Sequence, residues 1–192
     1  MQKVHNRRDK SHYFWVDGRI QAYSLKVASN TIRDMVPCLH SARLTQEEAL
    51  ALRGEQEIRL YIRHPLDRFV SAWKFFSRTG RHLIQRPGIP VWADKGLRSD
   101  IPLWEWADLA LEFEDMHWEP QVEFHTLRGQ FVPNRVIDVA YLGGRKSNRT
   151  THGTVDEEFA NHPELRKCLE EKYREDLELF ERVVGKPDGI EV

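Results

Sequence analysis

The chain has 192 residues, of which 40% are hydrophobic and 31% charged, with a formal net charge of −1. That length accommodates one domain with a substantial core. The near-neutral balance excludes a global basic field for nucleic acid, so any anion site must be a local cluster of groups.

The first elements in chain order are two strands, YFWV and RIQAYS, on either side of an Asp17–Gly18 turn, a hairpin signal. The second strand runs into LKVASNTIRDMVP. Ser29, Asn30 and Thr31 are N-cap residues for a short helix with Ile32, Met35 and Val36 on its apolar face and Pro37 as its stop. TQEEALALRG reads as a helix with Gly54 past its end. EIRLYI is a strand ending at Arg63. From Leu66 the apolar residues Leu66, Phe69, Val70, Trp73 and Phe76 fall at helical spacing, so a strand turns through Pro65 into a helix.

Residues from about 77 to 102 are rich in Gly, Pro and Arg and follow no period, which predicts a long lid or binding loop. LWEWADLALEF is a predicted helix, and HWEPQVEFH an irregular segment in which Pro120 disfavours helix at Glu119. RVIDVAYL is a strand. From Pro163 to Val184, Leu165, Leu169, Tyr173, Leu177, Phe180 and Val184 predict one amphipathic helix. Strands alternating with helices imply an α/β domain, residues 1–192, with a central, mainly parallel sheet flanked by helices. Cys38 and Cys168 make no metal pattern and are expected to be reduced core residues. No apolar stretch is long enough to span a membrane, and MQKVHNRRDK holds no apolar signal core, so the expected location is cytoplasmic.

In open α/β sheets ligands sit beyond the carboxyl ends of the strands. Two strand-to-helix turns have the chemistry to hold an anion there. In the first, Lys26 leaves the strand ahead of Val27, Ala28, Ser29, Asn30 and Thr31, whose backbone N–H groups open a helix, an arrangement that favours phosphate. It lacks the G-x-x-x-x-G-K-S/T pattern of a Walker loop. In the second, Arg63 presents a planar fork, and Ser71 lies off the apolar stripe of the following helix. Taken alone, these residues equally allow a plain capped helix, an Arg63–Asp67 pair and a solvated Ser71.

LKVASNTI followed by IRHPLDRFVSAW resembles the two donor-binding motifs of sulfotransferases, specifically the carbohydrate sulfotransferase-like group. HWEPQ resembles that group's His-Trp-x-Pro-Gln element, and YREDLELF its terminal helix; the matches occur in family order from about Ile20 to Phe180. The chain departs from the usual motifs at Leu25 (proline), Asn30 (threonine) and His64 (aspartate).

The resemblance implies a three-layer P-loop-like fold and an enzyme that moves a sulfuryl group from 3′-phosphoadenosine 5′-phosphosulfate (PAPS) to an acceptor hydroxyl, on a carbohydrate or related small molecule, with PAP as product and no metal. It implies that Lys26 through Thr31 cradle the 5′-phosphosulfate while Arg63 and Ser71 hold the 3′-phosphate. A lysine and backbone donors suit the charge that builds on the departing phosphate. The acceptor hydroxyl needs a base, for which His117 is the first choice and Glu119 the second. The basic, glycine-bearing segment GGRKSNRT adds Arg145, Lys146, Asn148 and Arg149 as donor contacts, and Arg78, Arg81, Arg86, Lys95 and Arg98 are candidates for an anionic acceptor. The rival readings are a nucleotide or small-molecule kinase and a nucleotide-binding domain without turnover.

Overall fold

A computed structural model describes residues 13–16, 18–24, 43–78, 98, 100–112, 117–141 and 155–192. The hairpin forms as its turn signal predicts: β1 (Tyr13–Val16) pairs antiparallel with β2 (Arg19–Tyr23), and Val16 faces Arg19 across a two-residue turn in which Gly18 takes φ +73°. That conformation suits a residue without a Cβ. After β3 (Arg43–Leu44) comes α1 (Gln46–Leu52), which opens with a full capping box: Glu48 N–H donates to Thr45 Oγ1, and Thr45 N–H to the Glu48 carboxylate at 2.7 Å. The strand β4 (Ile58–Ile62) and the helix α2 (Pro65–Arg78) occupy the positions that the apolar pattern assigns them.

Next in order are α3 (Leu103–Glu112), α4 (Gln121–Phe124), the small hairpin β5 (Thr126–Leu127) and β6 (Gln130–Phe131), and β7 (Arg135–Asp138). A 3₁₀ turn (Val139–Tyr141), α5 (Val155–Phe159), α6 (Pro163–Lys172), α7 (Arg174–Val183) and β8 (Ile190–Glu191) complete the described chain. Among the described residues, no helix is long and apolar enough to cross a membrane.

The main sheet has the order β3-β1-β2-β4-β7-β8. Its middle is the parallel trio β2, β4 and β7, joined by crossovers, while β3, β1 and β8 pair antiparallel at the two sides. The fold is therefore α/β with a mixed sheet, more antiparallel at its margins than the alternation of strands and helices predicts. The margins carry little sequence signal because β3 and β8 have two residues each, too few to show a period of two. Ile58, Leu60 and Ile62 of β4 alternate onto one face and form a core with Ile20, Ala22, Ala49, Val136, Leu179 and Val183. A second core is mainly helical, with Leu66, Phe69 and Phe76 of α2 against Trp106 of α3, Leu169 of α6, Trp118 and Tyr173.

Three further expectations are corrected. The terminal helix is two helices, broken at Tyr173, which ends α6 with φ −104° and ψ 20°. On α7, Asp176, Leu179 and Val183 are buried and Val184 is exposed. The RVIDVAYL strand stops at Asp138, whose carboxylate accepts from Ala140 N–H at 2.9 Å and turns the chain into the 3₁₀ segment. Cys168 lies exposed on α6 as a free thiol rather than in the core. The helix predicted over residues 29–36, most of the loop at 77–102 and Cys38 lie outside the described residues.

Side chains from two helices hold the segment between Trp118 and Val122. Arg68 of α2, itself fully buried, donates to the Glu119 carbonyl at 2.6 Å. The Tyr173 hydroxyl donates to the Trp118 carbonyl. Asp176 of α7 accepts from the Gln121 and Val122 N–H groups at 2.7 and 2.8 Å. Burial pushes the Asp176 carboxyl's pKa up, against those two N–H bonds and the Arg68 charge. Asp176→Ala strands two N–H donors, one buried and one part-buried, and removes the carboxylate near Arg68. It is expected to lower the unfolding free energy by about 3 kcal/mol in urea denaturation; a loss near zero would mean that packing alone holds this segment.

Candidate functional site

Because β2, β4 and β7 are parallel, their carboxyl ends lie along one edge of the sheet, at Ser24, Arg63 and Asp138. Only Arg63 and His64 separate the end of β4 from the start of α2. The Arg63 guanidinium is half-buried and has no hydrogen-bonded or ion-paired partner among the described residues. Burial lowers its pKa, and the nearby Asp67 charge opposes the shift. Arginine remains a cation regardless. His64, its neighbour, lies edge-on to Phe180 with ring centroids 5.3 Å apart, and burial pushes its imidazole down. A neutral ring beside Arg63 supplies no compensating negative charge.

One side of α2 is buried through Leu66, Phe69, Val70, Ala72 and Phe76. Asp67, Ser71 and Phe75, spaced by four, form a stripe on another side. Ser71 is half-buried, and its hydroxyl has no partner among the described residues. Phe75 is 38% exposed and stacks on His117, with the planes 16° apart and the centroids separated by 6.3 Å. Phe76 meets the same imidazole edge-on at 5.0 Å. Helical rise from Pro65 to Phe75 is about 15 Å. Arg63 therefore lies near one end, Ser71 between, and His117 near the other end, beside Phe75, an arrangement that suits an extended ligand.

Glu119 is only 4% exposed, and its own carbonyl is taken by Arg68. It is a poorer base than His117 on access alone. Arg98, a candidate for an anionic acceptor, is committed to a two-pronged bond with Glu105, with Nη2 to Oε2 at 2.7 Å. The segments carrying Lys26, Val27, Ala28, Ser29, Asn30 and Thr31, and Arg145, Lys146, Asn148 and Arg149, lie outside the described residues, as do Arg81, Arg86 and Lys95. Among the described residues, no group of His, Cys, Asp or Glu is arranged to hold a metal.

The segment read as irregular contains α4, which bridges the ends of two parallel strands. At its start, Gln121 Nε2 donates to the Arg63 carbonyl at 3.5 Å. Just past its end, the fully buried His125 bonds Ser24 Oγ through Nε2 at 3.1 Å and Tyr13 OH through Nδ1 at 2.8 Å. Burial pushes the tyrosine pKa up, with a Gln46 hydrogen bond opposing it, so the phenol stays protonated. If the phenol donates to Nδ1, the imidazole proton sits on Nε2 and is directed at Ser24; the other tautomer reverses both bonds. Neither Gln121 nor His125 figures among the residues picked out by motif chemistry. The only hint is that both lie within or just beyond HWEPQ.

No protein-family model matches the chain, and no curated protein or solved structure matches it at a significant level. Tyr13→Phe removes the hydroxyl that partners buried Nδ1 and is expected to cost about 1–2 kcal/mol of stability in chemical denaturation. An unchanged midpoint would show that His125 is held without it.

Proposed function

We propose that the protein is a PAPS-dependent sulfotransferase in a P-loop-like three-layer α/β fold, acting on an acceptor hydroxyl of a carbohydrate or related small molecule. The observation that carries this reading is the half-buried Arg63 guanidinium at the end of the middle parallel strand, without an ion pair among the described residues. A partly desolvated cation at a strand end, with Ser71 two turns along the next helix, is suited to a terminal phosphate. The order of the motifs, with Lys26 before Arg63 and HWEPQ after it, supports the same assignment.

In this mechanism Arg63 and Ser71 hold the 3′-phosphate of the donor, and Val27 through Thr31 supply donors to its phosphosulfate end. Lys26 stabilises the charge that develops on the leaving phosphate oxygen as the S–O bond breaks. His117 takes the acceptor proton while the acceptor oxygen bonds to sulfur, and Glu119 is the reserve base. Arg145, Lys146, Asn148 and Arg149 add contacts to the donor. A thermal-shift panel of PAP, ATP and GTP tests the reading, since a ligand bound only by the folded state raises its stability. PAP alone should stabilise; stabilisation by ATP or GTP instead favours the kinase reading.

Arg63→Ala is expected to weaken PAP binding by about 2 kcal/mol in calorimetry, as for loss of a charge-assisted bond. Unchanged affinity in the folded variant removes the 3′-phosphate from Arg63.

The two catalytic residues should fail differently. His117→Ala is expected to lose about 10²–10⁴ in turnover while keeping PAP affinity. Lys26→Ala is expected to lose about 10²–10³ in turnover and to weaken the donor complex as well. Near wild-type turnover in a folded His117→Ala protein moves the base to Glu119.

A further inference from the structure

Gln121 is only 1% exposed, yet its Oε1 has no hydrogen-bond partner among the described residues. Its amide nitrogen reaches the Arg63 carbonyl at 3.5 Å. With the carboxamide this way round Nε2 faces the carbonyl, whereas a flipped amide would set Oε1 against another acceptor. The oxygen is thus a buried acceptor at the carboxyl edge of the sheet, on a side chain whose nitrogen contacts the backbone of Arg63, the residue proposed to hold phosphate. Leaving such an oxygen unpaired costs about 1–3 kcal/mol, and a buried orphan of this kind calls for a functional account. The contact to Arg63 is at the outer limit of a hydrogen bond, so the amide is loosely held. Its last torsion is broad and allows the oxygen to turn toward a donor.

We infer that Gln121 is a specificity residue of the strand-end site, whose carboxamide oxygen accepts a hydrogen bond from the nucleoside half of the bound 3′,5′-bisphosphate. This inference rests on the proposed donor. Phosphate oxygens at neutral pH are acceptors and give an amide oxygen nothing to accept. The neutral donors on PAP are the exocyclic amine of adenine and the ribose 2′-hydroxyl. Arg63 and Gln121 then divide the ligand: the guanidinium takes charge, and the amide oxygen takes a neutral N–H or O–H. Asp176 keeps Gln121 in place by accepting its backbone N–H, and the other end of α4 is tied to β2 through His125 and Ser24.

The test is calorimetric titration of the wild type and Gln121→Met with PAP, with its inosine counterpart lacking the amine, and with its 2′-deoxy counterpart lacking the hydroxyl. Wild type should bind one of the two analogues about tenfold more weakly than PAP, the loss identifying which donor is read. Gln121→Met should bind PAP about tenfold more weakly and no longer distinguish that analogue. Its unfolding midpoint should stay at or above wild type, because the orphaned acceptor has gone. A folded Gln121→Met that binds PAP and discriminates as wild type does overturns the assignment. Should that variant fail to fold, wild type decides: equal affinity for all three ligands overturns Gln121 alone. A wild type that binds no PAP overturns the donor itself.

Discussion

The fold of the candidate site depends on how a short stretch of irregular backbone is kept in place. Trp118 to Val122 forms part of neither the main sheet nor a long helix, so its polar groups need partners from elsewhere. Arg68, Tyr173 and Asp176 supply them, taking the Trp118 and Glu119 carbonyls and the Gln121 and Val122 N–H groups. All three side chains are buried, where such bonds are strong when made and costly when broken. The break between α6 and α7 belongs to the same arrangement. It falls at Tyr173, one of the three anchors, and Asp176 follows three residues later on the same buried face.

The two ends of the parallel strands are built differently. At the amino ends, Asn134 accepts from Ile58 N–H and donates to the Arg53 and Gln56 carbonyls, while Arg53 reaches the Val192 carbonyl at 2.9 Å. These bonds join α1, β4, β7 and the C-terminal strand. At the carboxyl ends the ties run instead through α4, to Arg63 on one side and Ser24 on the other. They leave the Arg63 guanidinium uncommitted among the described residues and one amide oxygen unpaired. The amino-end ties are more numerous, although Arg53 Nε is buried there without a hydrogen-bond partner among the described residues. Gln121 Oε1 is the buried orphan at the carboxyl ends, where a ligand of an α/β sheet would sit.

Much of this is legible in the sequence because local signals agree with the tertiary outcome. The Asp17–Gly18 turn, the alternation of β4 and the apolar stripe of α2 each dictate one element, and Arg63 is identifiable from its place between two of them. Other features carry no local signal. Leu165, Leu169, Tyr173, Leu177 and Phe180 keep helical spacing across the break at Tyr173, so periodicity cannot reveal it. Asp176 reads as an ordinary surface acid among the charged residues of REDLELFERV, although it is buried and caps another element. His125 reads as one more histidine, and its importance comes from Tyr13 and Ser24, more than a hundred residues away in sequence. Short elements such as β3 and α4 exist because neighbours complete their hydrogen bonds, a property no window of residues contains.

Gly189 has a consequence for solubility. It takes φ +70°, and a Cβ there would lie 2.1 Å from the Val136 carbonyl oxygen, so no other side chain fits without displacing β8 from β7. The strand it introduces has only two residues, yet it occupies the side of β7 that would otherwise present unpaired N–H and C=O groups. An exposed parallel-sheet strand rich in branched apolar residues is a template for pairing with another chain. This one small residue therefore acts as a safeguard against edge-to-edge assembly, and its loss would show first as self-association rather than as a changed site.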